Sequence, residues 1–359
     1  MAASTAYRRI GTLASLLLAL AASAVGCSRN NEPGDAESSA GAPNGSGGTP
    51  EGSGGGGAYP ECPLEKTGTI SPITSMIIVN GRMIYTENSG FEVPGAVSSV
   101  DVATGDFDIL FDSPHPKGLM NVEKLLVWIS AMDDGGIERD SLVMGPITGG
   151  VPVQIVSTQR KVESLALTDT HVYWTDGEES LWRAELAADS EPEAVLTARQ
   201  VTGVAADRDQ NLFVTALAEK PVLYRLDKDS LEPTALVEGD LAAGTVSQLT
   251  VAGDFIYFRL DLSGAKGLRR TSISTPSDRF EAFGEAIRFS KLASDGSNVY
   301  FSGFPSGTSS TTDGVVGRVD RDGEPIVLKE GLYQPFAVAS IGKCLYYNAG
   351  QKLGVVATR

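Results

Sequence analysis

From about residue 76 onward, short apolar runs alternate with polar turns. Met76-Ile77-Ile78-Val79 is followed by Asn80-Gly81, a two-residue hairpin signal, and then by Met83 to Thr86. Val97 to Asp101 and Phe107 to Phe111 complete a set of four strands, named a to d here. The same order repeats. Strand b is the easiest to follow, because each copy holds an aromatic between apolar neighbours. The copies are Ile84-Tyr85-Thr86, Val127-Trp128-Ile129, Val172-Tyr173-Trp174, Leu212-Phe213-Val214, Ile256-Tyr257-Phe258, Val299-Tyr300-Phe301 and Leu345-Tyr346-Tyr347. Their aromatics are separated by 43, 45, 40, 44, 43 and 46 residues.

Seven near-equal units of four short strands predict the blades of an all-β propeller over residues 61–359, with no room for a second domain. The seventh unit has strands a (Phe336 to Ala339), b (Leu345 to Tyr347) and c (Leu353 to Val356), and the sequence stops before a strand d. Lys66 to Ile73 is strand-like and precedes the first strand a, so it is expected to supply the missing strand and close the ring. Cys62 and Cys344 then fall at one face of that blade and are expected to form a disulfide. Val172 to Gly177 with Leu181-Trp182-Arg183 resembles the YWTD repeats of receptor-type propellers. Asp207 to Thr215 is similar to the repeat of NHL and gluconolactonase-type propellers. The resemblance implies the architecture alone, since this fold hosts many functions. YWTD propellers have six blades, so a six-bladed ring is the alternative.

The first sixty residues have a different composition. Arg8 and Arg9 precede an apolar, small-residue-rich run from Ile10 to Val25, which reads as a secretory signal over residues 1–26. Ala24-Val25-Gly26-Cys27 resembles the lipobox of bacterial lipoproteins, which implies lipidation of Cys27 and anchorage in the cell envelope, at the outer membrane of a Gram-negative bacterium. Residues 27–60 are rich in Gly, Ser and Pro, a composition that cannot offset its ordering entropy, and they are expected to form a tether. The formal charge is −16, and loss of the signal's two arginines leaves −18. That balance argues against nucleic acid, whose phosphates require clustered Lys and Arg.

Candidate chemistry is sparse. The two histidines, His115 and His171, are distant in blade order, and no zinc-type spacing or Ser-centred elbow is present. Asp320-Arg321-Asp322-Gly323-Glu324 has the residues of a calcium loop but falls at a c–d turn. The stretches between strands b and c are long: Glu87 to Ala96, Ala131 to Asp140, Asp261 to Lys266 and Gly303 to Asp313. They share a face with the d–a connections and carry acids, among them Glu87, Glu92, Asp133, Asp134, Glu138 and Asp176. Loops on a rigid scaffold are where binding concentrates. The favoured reading is a non-catalytic module that recognises an envelope protein or polysaccharide on this face, with no cofactor. The alternative is a propeller enzyme of lyase or lactonase type, holding calcium or magnesium by acids at the channel mouth.

Overall fold

The computed structural model describes Cys62 and residues 72–358, apart from 89–94, 135–136, 159, 179, 199, 218–220, 239–244, 262–265 and 277–279. The segment 66–71, expected to close the ring, lies outside the described residues, as do Glu92, Cys27 and the tether.

Blade 1 holds β1 (Ile73–Val79), β2 (Arg82–Glu87), β3 (Gly95–Asp101) and β4 (Phe107–Ser113). Blade 2 holds β5 (Pro116–Val122), β6 (Leu125–Asp134), β7 (Ile137–Pro146) and β8 (Val153–Ser157). Blade 3 holds β9 (Ser164–Leu167), β10 (His171–Thr175), β11 (Ser180–Glu185) and β12 (Glu193–Thr197). Blade 4 holds β13 (Gln200–Ala206), β14 (Leu212–Leu217), β15 (Pro221–Leu226) and β16 (Pro233–Glu238). Blade 5 holds β17 (Thr245–Ala252), β18 (Phe255–Asp261), β19 (Lys266–Ser272) and β20 (Glu281–Phe283). Blade 6 holds β21 (Ile287–Ser294), β22 (Val299–Pro305), β23 (Gly314–Val319) and β24 (Pro325–Leu332). Blade 7 holds β25 (Pro335–Ile341), β26 (Cys344–Ala349) and β27 (Lys352–Ala357).

Each blade is an antiparallel meander in simple order, and the seventh sheet has three described strands. Asn80 and Gly81 both adopt positive φ, 51° and 76°, as the predicted type I′ hairpin demands.

The apolar core is divided among the interfaces between blades. Seven buried clusters occur, one for each pair of neighbours. Ile84 and Trp128 join blades 1 and 2, and Val127 and Trp174 join 2 and 3. Tyr173 and Val214 join 3 and 4, Phe213 and Phe258 join 4 and 5, and Tyr257 and Phe301 join 5 and 6. Tyr300 and Tyr347 join 6 and 7. Tyr85 and Tyr346 join 7 back to 1. Successive residues of strand b point to opposite faces of the sheet, so an apolar pair there serves both neighbouring interfaces. Seven interfaces exclude the six-bladed alternative.

Three sequence expectations need correction. In blade 1 the residue equivalent to the repeated aromatic is Ile84, because Met83-Ile84-Tyr85-Thr86 aligns with Val172-Tyr173-Trp174-Thr175 once the buried polar end of strand b is used as the marker. Ile73 opens β1 rather than closing a separate strand. The stretch from Ala131 to Asp140 is no loop: β6 and β7 stay paired out to Asp134↔Ile137. Gly135-Gly136 after two aspartates is itself a hairpin signal in the sequence.

The disulfide is present between Cys62 and Cys344, with Cα atoms 5.6 Å apart. It ties the chain before β1 to the start of β26.

Candidate functional site

The inner strand of six blades carries a bulge close to the face bearing the b–c connections. It interrupts the a–b register between Ile73 and Ser75, Lys117 and Met120, and Val201 and Gly203. It recurs between Ser247 and Thr250, Phe289 and Lys291, and Pro335 and Val338. An extra residue leaves main-chain groups without ladder partners. Several of these are met by a polar residue at the end of a strand b: Thr86, Thr215, Arg259, Ser302 and Asn348. Asn348 Oδ1 accepts the amides of Phe336 and Ala337 at 3.2 and 2.5 Å. Ser302 Oγ donates to the Phe336 carbonyl of the next blade at 3.0 Å, and the Arg259 guanidinium donates to the carbonyls of Phe289 and Ser290 at 3.2 and 3.3 Å. Inner-strand hydroxyls add links between blades. Ser75 Oγ accepts the Leu119 amide at 3.1 Å, and Ser164 Oγ both accepts the Val204 amide and donates to its carbonyl. The result is a polar collar around the axis. Its signal, a polar residue two places after the aromatic, was present in the sequence but hidden by the apolar reading of strand b.

The β6–β7 hairpin rises from this face. Its base is held by Asp140, whose side chain is 0% exposed. The carboxylate accepts the Val162 amide at 2.6 Å and lies 3.2 Å from Lys117 Nζ. The Asp140 carbonyl also accepts from the Thr158 amide and hydroxyl, at 2.9 and 2.7 Å. A strand of blade 2 is thereby fixed to its own inner strand and to the connection into blade 3. At the other end of the hairpin, register places Asp133 opposite Glu138.

The remaining acids of the face have varied surroundings. Asp176 follows β10 and its side chain is 5% exposed. Burial works against its ionisation, but the Glu178 amide at 3.0 Å, the Trp182 indole N–H at 3.2 Å and Arg160 at 3.3 Å outweigh that cost and hold its pKa below the usual carboxylate range. Glu178 pairs with the same arginine at 2.5 Å. Glu87 ends β2, half-buried; burial and then its carboxylate raise the Tyr85 phenol above its ordinary range. Glu163 precedes β9 and pairs with Lys161 at 3.5 Å.

His115, at φ 36°, sits in the turn between β4 and β5 with Nδ1 3.0 Å from Asn88 Oδ1. His171 begins β10 at the opposite face, where burial and then Arg183 lower its pKa. The Asp320 turn is closed from within: Asp320 Oδ1 accepts the Glu324 amide at 2.8 Å, and Arg270 donates to the carbonyls of Arg321 and Asp322. Among the described residues no three His, Cys, Asp or Glu side chains come together in a way that could hold a metal ion.

The inner wall between blades 5 and 6 is cationic. Lys291 follows the β21 bulge, and burial, then the charge of Arg259, lowers its pKa.

No family model matches the chain, and no curated protein matches its sequence. Solved structures do. A virginiamycin B lyase from Staphylococcus aureus is similar with a TM-score of 0.58 at 10% identity, over 80% of this chain and 95% of that one. A chain of the mitotic checkpoint complex is similar with a TM-score of 0.58 at 9% identity, over 82% and 95%. A chain of a nidogen/laminin complex is similar with a TM-score of 0.42 at 17% identity, over 71% and 82%. At such identities the likeness to the first two shows the fold and leaves function to the site. The chain is a seven-bladed β-propeller.

Proposed function

We propose that this propeller is an exported binding module, held to the cell envelope by a lipid on Cys27, that docks an envelope protein or polysaccharide rather than transforming a substrate. The observation that carries the reading is the β6–β7 hairpin. Its ten-residue strands keep their register as far as Asp134↔Ile137. Its base is locked by Asp140. Register near its tip places Asp133 opposite Glu138, with Asp134 next along the strand. Like charges at directly opposed positions cost stability, so a fold with no use for them gains by their replacement. A cationic or hydroxyl-rich partner relieves that cost on binding and is drawn in by the same field. The other b–c connections share the face and extend the docking surface. No cofactor enters this reading.

Two experiments test it. Cys27→Ser should move the protein from the membrane to the soluble fraction; membrane association that survives the change removes the anchor. The wild type and a Asp133→Asn/Asp134→Asn/Glu138→Gln variant should then be used as baits on envelope extracts. Partners retained by the wild type and lost by the variant support the docking face, and identical captures overturn it. The variant should be as stable as the wild type or more so, by about 0.2–1 kcal/mol.

A further inference from the structure

Exposed aromatic rings are scarce on this propeller, and two of them stand together. Among the described residues, Phe107, Tyr333 and Phe336 are the aromatic side chains more than a third exposed, at 52%, 52% and 44%. Phe107 begins the outer strand of blade 1. Tyr333 lies in the connection from β24 to β25, on the face that bears the b–c connections, and Phe336 is the second residue of β25. Phe336 departs from the repeat. It occupies the bulge of its inner strand. The residues that the other five bulges leave out of register are small or polar, except Leu119 and Leu249, which are buried. An exposed phenyl ring at this place serves no packing need of the repeat.

The segment that carries the two rings is fixed. The Tyr333 ring rests on Gly350, where a Cβ would come within 2.6 Å of its Cδ1. The Gln334 amide donates to the Thr311 carbonyl at 2.9 Å, and the Gln334 carbonyl accepts the Gly350 amide at 3.4 Å. The Phe336 amide donates to Asn348 Oδ1 at 3.2 Å, and its carbonyl accepts Ser302 Oγ at 3.0 Å. Blade 7 passes from b to c through a two-residue turn, Gly350-Gln351, between the paired Ala349 and Lys352. Beside the rings runs the b–c connection of blade 6, Ser306 to Thr312, in which six of the seven residues carry a hydroxyl. Ser309 and Thr311 are exposed, and their hydroxyls bond no other group among the described residues. The formal charge of the chain is −16, yet Gly303 to Thr312 and Gly331 to Ile341 hold no Asp, Glu, Lys, Arg or His.

We propose that Tyr333 and Phe336, with the hydroxyl-bearing loop from Ser306 to Thr312, form a binding site for a neutral saccharide, a unit of a polysaccharide chain that crosses the b–c face at blades 6 and 7. A pyranose ring has a face of C–H bonds that stacks on an aromatic ring, and a rim of hydroxyls that neutral donors and acceptors satisfy. Charge decides against other chains: the net field repels an anionic one, and a cationic one is drawn to the acids elsewhere on the face. Size decides against a protein. Two rings and one short loop are small beside the roughly 800 Å² per partner that a stable protein interface buries, and they match one or two sugar units. The inference rests on the docking reading for its face and deepens it by choosing the polysaccharide.

The test screens the full propeller against immobilised neutral hexasaccharides of glucose, galactose, mannose and N-acetylglucosamine, with a galacturonate hexasaccharide as the anionic control. At least one neutral glycan should bind, and the galacturonate should not. Titration of the wild type with that glycan should shift the ring resonances of Tyr333 and Phe336 in NMR spectra. Calorimetry should show Tyr333→Ala and Phe336→Ala each weakening it at least tenfold, while Phe107→Ala, an exposed aromatic in blade 1, leaves it unchanged. The proposal is overturned if no neutral glycan binds, if the galacturonate binds equally well, if the two rings do not shift, or if both variants bind as the wild type does. Capture of an envelope protein that needs Tyr333, with no glycan bound, would mark a protein contact and overturn it as well. The ring shifts are read on the wild type, so the outcome does not hang on the folding of Phe336→Ala. The capture experiment on the hairpin variant reports on blade 2, so either reading can fail while the other stands.

Discussion

Blades 2 and 6 each carry a charged residue close to the inner strand, Asp140 and Lys291, and they treat it in opposite ways. Asp140 is wholly buried, and its oxygens are met by the Val162 amide and the Lys117 ammonium. Lys291 is exposed to water. Taking a charge out of water costs several kcal/mol, and a protein recovers that cost only by pairing and hydrogen bonding. Where the recovery is complete, as at Asp140, the charge works as a clamp on the fold. Where the charge keeps its water, as at Lys291, no such cost arises and no partner is needed.

The comparison can be broken most severely at the clamp. Asp140→Ala leaves Lys117 without its acid and the Val162 amide without an acceptor, and should cost about 3–5 kcal/mol in urea unfolding. A loss under 1 kcal/mol would mean that the hairpin stands without its base. Lys291→Met, at an exposed position, should change stability by less than about 0.5 kcal/mol, and measuring both side by side is the direct check of the contrast.

The ring can also be loosened without touching any charge. Cys62→Ala/Cys344→Ala removes a link across 282 residues and should cost about 2–5 kcal/mol, mainly by freeing the unfolded chain. Combined with Asp140→Ala, the losses should add, because blades 2 and 7 share no side chain. Strong non-additivity would show that the hairpin anchor and the ring closure are one cooperative unit.

The smallest effect at a paired charge belongs to Asp176. Its folded pKa lies below the ordinary 3.8, so its contribution to stability is full above that value and is lost as pH falls through the lower, folded one. Asp176→Asn should cost about 1.5–3 kcal/mol at pH 7 through weaker bonds to the Glu178 amide and the Trp182 indole. The difference from the wild type should shrink below about pH 4. A gap that stays constant down to pH 2 would contradict the role given to the carboxylate.

How much was legible in advance depended on whether a feature repeats. Tyr173, Phe213, Tyr257 and Tyr300 recur at near-constant spacing because every blade must fill two interfaces from one strand, and that requirement is written seven times. The hairpin turn at Asn80-Gly81 was legible because its positive φ values suit those two residues. The Cys62–Cys344 pair followed from blade order alone. The polar collar was partly legible: Thr215, Ser302 and Asn348 all stand two places after the aromatic, yet an apolar pattern hides single polar positions.

The sequence by itself determined the number of blades, the strand order and the pairing of the chain's two distant cysteines, because local periodicity and regular spacing dictate them. The tertiary structure decided which charges are buried and paired and which stay in water. Asp140, Val162 and Lys117 meet only because two strands and a connection converge, and Arg259 reaches the carbonyls of Phe289 and Ser290 only because a bulge in one blade lies against the next. Coulombic and hydrogen-bonding compensation acts over a few ångströms of space between residues far apart in sequence, and no periodicity along the chain encodes it.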